Sequence, residues 1–302
     1  MVEMKFRAHD TFFIRKGWIS KGMRYVEKSH GEVFIDKKEN PMDVLGIGAN
    51  MVKALRYWLQ AIGITEEPNS GKRIQKFTKF GQLVFDHDKY IEELGTLYLL
   101  HYKLASNQKL ATSWYFFFNE LGLSDFTKDD FVLQIGNYIK IKYNDANVAV
   151  RSLEDDFSCI INTYVPRYKT MPSKVSAENN IDCPLGELGL IDILKKKRNN
   201  VVYKKAVPAA STFNPWVILA VIHANANGRK EIGLNELLTA ENNIGKIFNF
   251  DSITMLNVFH AAERTGELKI IRTAGLDVIN LTHSYSFEEC VEHYYEEIET
   301  AE

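Results

Sequence analysis

Between Pro41 and Ile64 the chain reads PMDVLGIGANMVKALRYWLQAIGI, and no other stretch limits the possible folds so tightly. Met51, Val52, Leu55, Trp58, Leu59 and Ile62 return at the steps of one apolar helical face, which predicts a helix opening just after Gly46-Ile47-Gly48. Lys53, Arg56 and Gln60 gather on another face. Gly63 supplies the stop that a helix C-terminus favours. A tight turn feeding an amphipathic helix with a basic outer side has the shape of a helix-turn-helix reader of nucleic acid, and equally that of a solvated scaffold helix. Gly46-Ile47-Gly48 is no dinucleotide fingerprint, because Met51 stands where a third glycine is needed and Asp43-Val44-Leu45 makes a poor strand. Amides at such a helix start can still face a DNA phosphate.

At 302 residues, 45% of them hydrophobic and 12% aromatic, the chain has the material for two or three cores. It contains no apolar run of about 18 residues, and MVEMKFRAHD has no signal-like segment; a cytoplasmic protein without membrane contact is expected. Cys159, Cys183 and Cys290 are few and scattered, which argues for a reducing compartment. The net charge of −2 does not by itself suit a phosphate binder, but the charge is segregated. Lys53, Arg56, Lys72, Arg73, Lys76 and Lys79 fall close together, while the last residues are rich in glutamate without Lys or Arg.

Ahead of the hinge, HDTFF leads into IRKGWISKGMRYVEK, read as a supporting helix capped by Asp10 or Thr11, with Trp18, Ile19, Met23 and Val26 inward. His9 reads as a hydrogen-bonded structural histidine, and Arg15, Lys16 and Lys21 either meet phosphate or solubilise the helix. Residues 32–35 suggest a short strand. DHDKYIEEL is read as opening a helix through GTLYLLHYKLA, and SWYFFFNELGL as covered helical core. Asp86, Asp88, Glu92 and Glu93 sit where a helix start favours acids. Thr127 and Asp130 form a capping arrangement, and residues 171–184 read as a linker. Lys195, Lys196, Lys197 and Arg198 either cap a helix C-terminus or meet nucleic acid. The final third begins with a helix capped by Asn214 with Pro215 at its first position. Two more helices and a hairpin about Ala274-Gly275 follow, the order of a winged helix, with Asn257, His260 and Arg264 on the third helix and Lys269 and Arg272 on the hairpin.

HDTFFIRKGW, LGIGANMVKALRYWL, FDHDKYIEELGTLYLLHYKLA with SWYFFFNE, CPLGELGLI and TAGLDVINL, in this order, make nearly the whole chain resemble the bacterial family DUF4007. The resemblance implies a setting beside genes of DNA modification and phage defence, notably DNA phosphorothioation, and supplies no catalytic residue. Asp10 stands where Glu is common in the family and Ala49 where Lys is common.

Catalytic alternatives find little footing. Glu267-Leu268-Lys269 with Asp251 has the loose outline of a metal-dependent nuclease, and no Gly-x-Ser-x-Gly elbow occurs. The expectation is therefore a mainly α protein with minor α+β character. It comprises a helix-turn-helix-like module (1–68), a helical middle (69–170), a linker with a short helix (171–212) and a winged helix ending in an acidic helix (213–302). It is read as a non-enzymatic, DNA-associated accessory without cofactor or metal, with Lys53, Arg56, Gln60, Lys72, Arg73, Lys76, Arg264, Lys269 and Arg272 as the DNA-contacting set. The alternative is a scaffold that docks a modification or restriction enzyme through the winged helix and the aromatic middle.

Overall fold

The computed structural model describes residues 4–36, 38–68, 71–143, 147–166, 183–197, 200–273 and 276–301. About 54% of the chain is helical and 12% lies in small sheets, an α-rich α+β protein. It divides into two compact units, one of residues 1–117 and 121–205, the other of residues 118–120 and 206–302. Among the described residues, no helix is long and apolar enough to cross a membrane.

In the first unit, α1 (Trp18–Lys28) and α2 (Pro41–Leu45) lead to α3 (Ala49–Ala61). Gly46 closes α2 at φ 62, a conformation that glycine adopts without a Cβ clash, and Gly48 opens α3. The apolar face of α3 carries it to the core: Leu55, Trp58 and Leu59 are at most 1% exposed, and the Trp58 indole donates to Phe12 O at 2.8 Å. Beyond α3 come the short pair β1 (Thr65–Glu66) and β2 (Lys76–Phe77), then α4 (Lys79–His87) and α5 (Leu94–Ala105). A Cβ on Gly81 would stand 1.9 Å from Ile64 O, so only glycine lets α4 pack against that backbone.

The unit continues with α6 (Thr112–Tyr115), β3 (Asp125–Phe126), α7 (Lys128–Lys142), α8 (Val150–Tyr164), β4 (Ile191–Lys197) and β5 (Asn200–Lys205). The last sheet runs β3-β5-β4, all antiparallel. The Thr127 hydroxyl accepts from Asp130 N while the Asp130 carboxylate accepts from Thr127 N, a complete capping box that starts α7.

The second unit contains α9 (Pro215–Ala226), β6 (Glu231–Gly233), α10 (Leu234–Thr239), α11 (Ile244–Ile247), α12 (Ser252–Glu263), β7 (Leu268–Thr273), β8 (Leu276–Leu281) and α13 (Phe287–Ala301). Its sheet has the order β6-β8-β7, with Ile270 opposite Ile279. The Asn214 side chain accepts from Trp216 N and Pro215 takes the first helical position, as the sequence requires.

Several local expectations are corrected. Asp10 and Thr11 cap no helix: both adopt left-handed backbone (φ 50 and 68), and α1 opens at Trp18 behind Gly17. Residues 32–35 form turns closed by Ile35 N donating to Glu32 O at 2.9 Å, not a strand. Residues 88–93 are also a turn, because the Asp88 carboxylate accepts from Glu92 N and Glu93 N and holds the chain until α5 begins. Lys195, Lys196 and Lys197 lie on a strand, which removes the helix-cap alternative for them, while Arg198 lies outside the described residues. Of the expected linker, only Cys183 and Pro184 are described, as is part of the Ala274-Gly275 hairpin's flanks but not its tip.

Candidate nucleic-acid interface

The outer face of α3 divides. Lys53 is exposed and, among the described residues, donates to the Asn50 side chain at 3.5 Å. Arg56 instead makes a two-pronged ion pair with Glu67, Nε to Oε1 at 2.6 Å and Nη2 to Oε2 at 2.7 Å, with 24% of its side chain exposed. Gln60 also donates to Glu67, at 3.2 Å, and Gln75 donates to Arg56 O at 3.0 Å. Arg56 and Gln60 therefore fasten the 65–76 segment onto α3, departing from the solvent-facing trio that periodicity suggests. Lys72, Arg73 and Lys76 on that fastened segment are exposed, with Arg73 at φ 55. Fixing the segment brings these three cations into the same unit as Lys53.

The remaining candidates lie in the second unit. Arg264 ends α12 and is exposed, as is Lys269 on β7. Arg272 pairs with Asp277 at 3.1 Å, an exposed bridge of small energetic weight. The outward side of α12 shows Ile253, 73% exposed, with Asn257, His260 and Arg264. The units differ most in charge. The second holds six Lys and Arg against fifteen Asp and Glu, net −9, which leaves the first with 31 against 24, net +7.

The motif HDTFF has a buried structural explanation. Asp156, 1% exposed, accepts from Arg7 N at 2.8 Å, from the Ser113 hydroxyl at 2.5 Å and pairs with His9 Nε2 at 2.7 Å. Thr11 N donates to His9 Nδ1 at 3.1 Å, which assigns the ring proton to Nε2 and its bond to Asp156. The chain start is thereby tied to α6 and α8. The order is histidine, carboxylate, hydroxyl, so the Ser113 hydroxyl meets the carboxylate and not the imidazole, unlike the nucleophile of a serine triad.

Other chemical candidates dissolve into structural roles. Asp251 caps α12 by accepting from Thr254 N, which holds its carboxyl below the usual range, while Glu267 pairs with His283 at 2.7 Å. Asp86 accepts from Gln82, and Asp88 serves the turn described above. Burial pushes the Cys159 thiol up, and burial with Glu289 and Glu267 nearby pushes Cys290 up to about 12, so neither offers a thiolate at neutral pH. Among the described residues, no group of three or more His, Cys, Asp or Glu could hold a metal ion. The aromatic run of the middle is core, with Trp114 and Phe116 to Phe118 at most 3% exposed.

The sequence reading passed over Arg24, Lys89 and Tyr90. With Ser20, Lys21 and Phe85 they line a cleft of about 360 Å³ beside α1, and Tyr90 is 65% exposed. Asp88, whose short carboxylate can take up backbone amides a few residues on, is a turn signal that would have separated Lys89-Tyr90 from the helix.

A family model described as "Protein of unknown function (DUF4007)" matches residues 6–295. No curated protein matches the chain. Two solved structures are similar. One is a crystal structure of SspB, at 24% identity and TM-score 0.82, covering 98% of this chain and 89% of that one. The other is a magnesium-ion-bound crystal structure of SspB, at 26% identity, TM-score 0.83 and the same coverage.

Proposed function

We propose, for a chain that belongs to the DUF4007 family, that it is a DNA-associated accessory protein of a bacterial DNA-modification or phage-defence system, binding DNA through its first unit. The observation that carries this reading is the charge division, net +7 against −9, since phosphate binding draws on clustered Lys and Arg. Lys53, Lys72, Arg73 and Lys76 supply the phosphate contacts, and Arg56 and Gln60 act indirectly by fixing the segment that carries three of them. The defence setting comes from the family resemblance alone. Replacing Lys53, Arg73 and Lys76 with Gln is expected to weaken duplex binding tenfold or more in a filter-binding titration, with the far-ultraviolet circular dichroism unchanged. Unchanged affinity would defeat the assignment.

A second role follows from the second unit. Its helices followed by a β6-β8-β7 sheet are in keeping with the winged helix read from the sequence, yet a net charge of −9 repels phosphate. Exposed Ile253, in the first turn of α12 on its outward side, favours protein docking there, so that this unit holds a partner encoded nearby. Capture of neighbouring gene products by the wild type and not by Ile253→Asp tests it. Magnesium is named for one similar structure; the described carboxylates of this chain are not grouped to hold it, and no catalytic step is routed through it.

A further inference from the structure

The cleft beside α1 is unusual in this molecule for combining cations, an outward aromatic ring and no acid. Its wall consists of Gly17, Ser20, Lys21, Arg24, Phe85, Lys89 and Tyr90. Lys21 already donates one bond, to Leu45 O at 2.9 Å, and the Arg24 guanidinium lies 5.1 Å from the Tyr25 ring centre. Tyr90 is the partition of the region, for the same ring, with Gly17 and Ser20, also lines a second cleft of about 240 Å³ whose cations Arg15 and Lys16 are matched by Glu92 and Glu187. Two cavities thus flank one exposed ring.

The ring is displayed by a rigid turn. Asp88 is buried and its carboxylate oxygens receive Glu92 N at 2.9 Å and Glu93 N at 3.1 Å. Ile91 is held at φ 57, a conformation that a β-branched residue adopts only when its surroundings impose it. The turn holds the Tyr90 backbone at the surface, where the residue is 65% exposed. From below, the first turn of α1 directs toward Gly17 and Ser20 the positive end of an 11-residue helix.

We infer that this cleft is a binding site for an unpaired nucleotide of a single-stranded nucleic acid, its phosphate met by Lys21, Arg24 and Lys89 and its base stacked on Tyr90. Cations alone fit any phosphate, and a duplex keeps its bases stacked on one another, so the exposed ring is what selects the unpaired strand. The cation lying 5.2 Å from the Tyr90 centroid, Lys89, can leave the ring for a phosphate, because a surface cation–π contact is weak. This inference rests on the nucleic-acid reading above and narrows it to a class of substrate and a place.

The test is fluorescence anisotropy of the full chain with a labelled short oligothymidylate and with a labelled duplex of equal length, at physiological salt. Tyr90→Ala is expected to weaken the single strand about tenfold and the duplex less than twofold, because stacking supplies the difference. Tyr90→Phe keeps the π-face and retains near wild-type affinity for the strand. Arg24→Gln with Lys89→Gln is expected to weaken the strand about tenfold and flatten its salt dependence. Duplex binding that persists with single-strand affinity unmoved by Tyr90→Ala overturns the site and leaves the broader reading standing. Absence of binding to both probes by the wild type overturns the broader reading and this one with it.

Discussion

In the first unit the acid that matters most is inside and the cations are outside: Asp156 is buried under three hydrogen bonds, while Lys53, Arg73 and Lys76 face solvent. In the second unit the acids are outside, with Glu289, Glu292, Glu296, Glu297 and Glu299 exposed along α13 over a buried row of Cys290, Val291, Tyr294 and Tyr295. Both are built by the same local rules of apolar faces and capped helix starts. The difference shows that fold order alone says little about a partner. The helices and hairpin that the sequence suggests as a winged helix sit in the acidic unit, and the excess of cations sits in the other.

The largest effect that can break this contrast is expected at Asp156. Asp156→Ala strands His9, Ser113 and Arg7 N, and should cost about 3–5 kcal/mol, read as lost hydrogen-exchange protection in α6 and α8 with protection in α9 and α12 retained. Equal loss in α9 and α12 would show that the two units do not keep separate cores.

The next pair sharpens the comparison by asking for sameness. Thr127→Ala in the first unit and Asp251→Ala in the second each remove an N-cap, and each should cost about 1 kcal/mol in urea denaturation. Local devices are then equivalent, and charge is what separates the units.

Acidification should separate them again. Burial lowers the His223 pKa against the opposing pull of Glu267 and Glu289, so below its ordinary value of about 6.5 the unfolded chain takes a proton that the folded unit resists. Asp251 and Glu289 are lowered by hydrogen bonds to helix-start amides, so their contribution, present above the ordinary carboxylate range, is also lost as pH falls. The second unit should accordingly lose stability progressively from pH 6.5 downward, and His223→Gln should remove the first part of that decline in a pH series of urea titrations. The smallest effect is expected at the exposed Arg229–Glu236 pair, where Glu236→Gln should lower the melting temperature by no more than a few degrees.

Much of the scaffold was legible in the residues. The hinge at Gly46 to Gly48, the face of α3, the Thr127 box, the Asn214-Pro215 start and the β7–β8 hairpin are all fixed within a few positions, where periodicity and caps act. What stayed hidden depends on contacts distant in sequence. His9 meets Asp156 across 147 positions, and no local rule pairs them. The same holds for Arg56 and Glu67: periodicity places Arg56 on an outer face, and only the return of the chain through β1 supplies the carboxylate that claims it. The β4–β5 pair was missed because β4 ends in three consecutive lysines, paired with Val202, Val201 and Asn200, which leaves little alternation to read. At the candidate site, Lys53 and the 72–76 cations were found by charge, while Lys89 and Tyr90 were absorbed into a helix that begins only at Leu94.

The most direct test of the account is the salt dependence of duplex DNA affinity, compared between wild type, Lys53→Gln with Lys76→Gln in the first unit, and Lys269→Gln with Arg272→Gln in the second. The account predicts a steep fall of affinity with salt for the wild type, a slope reduced by about two for the first-unit variant, and a slope unchanged for the second-unit variant. A slope reduced only by the second-unit changes would contradict it.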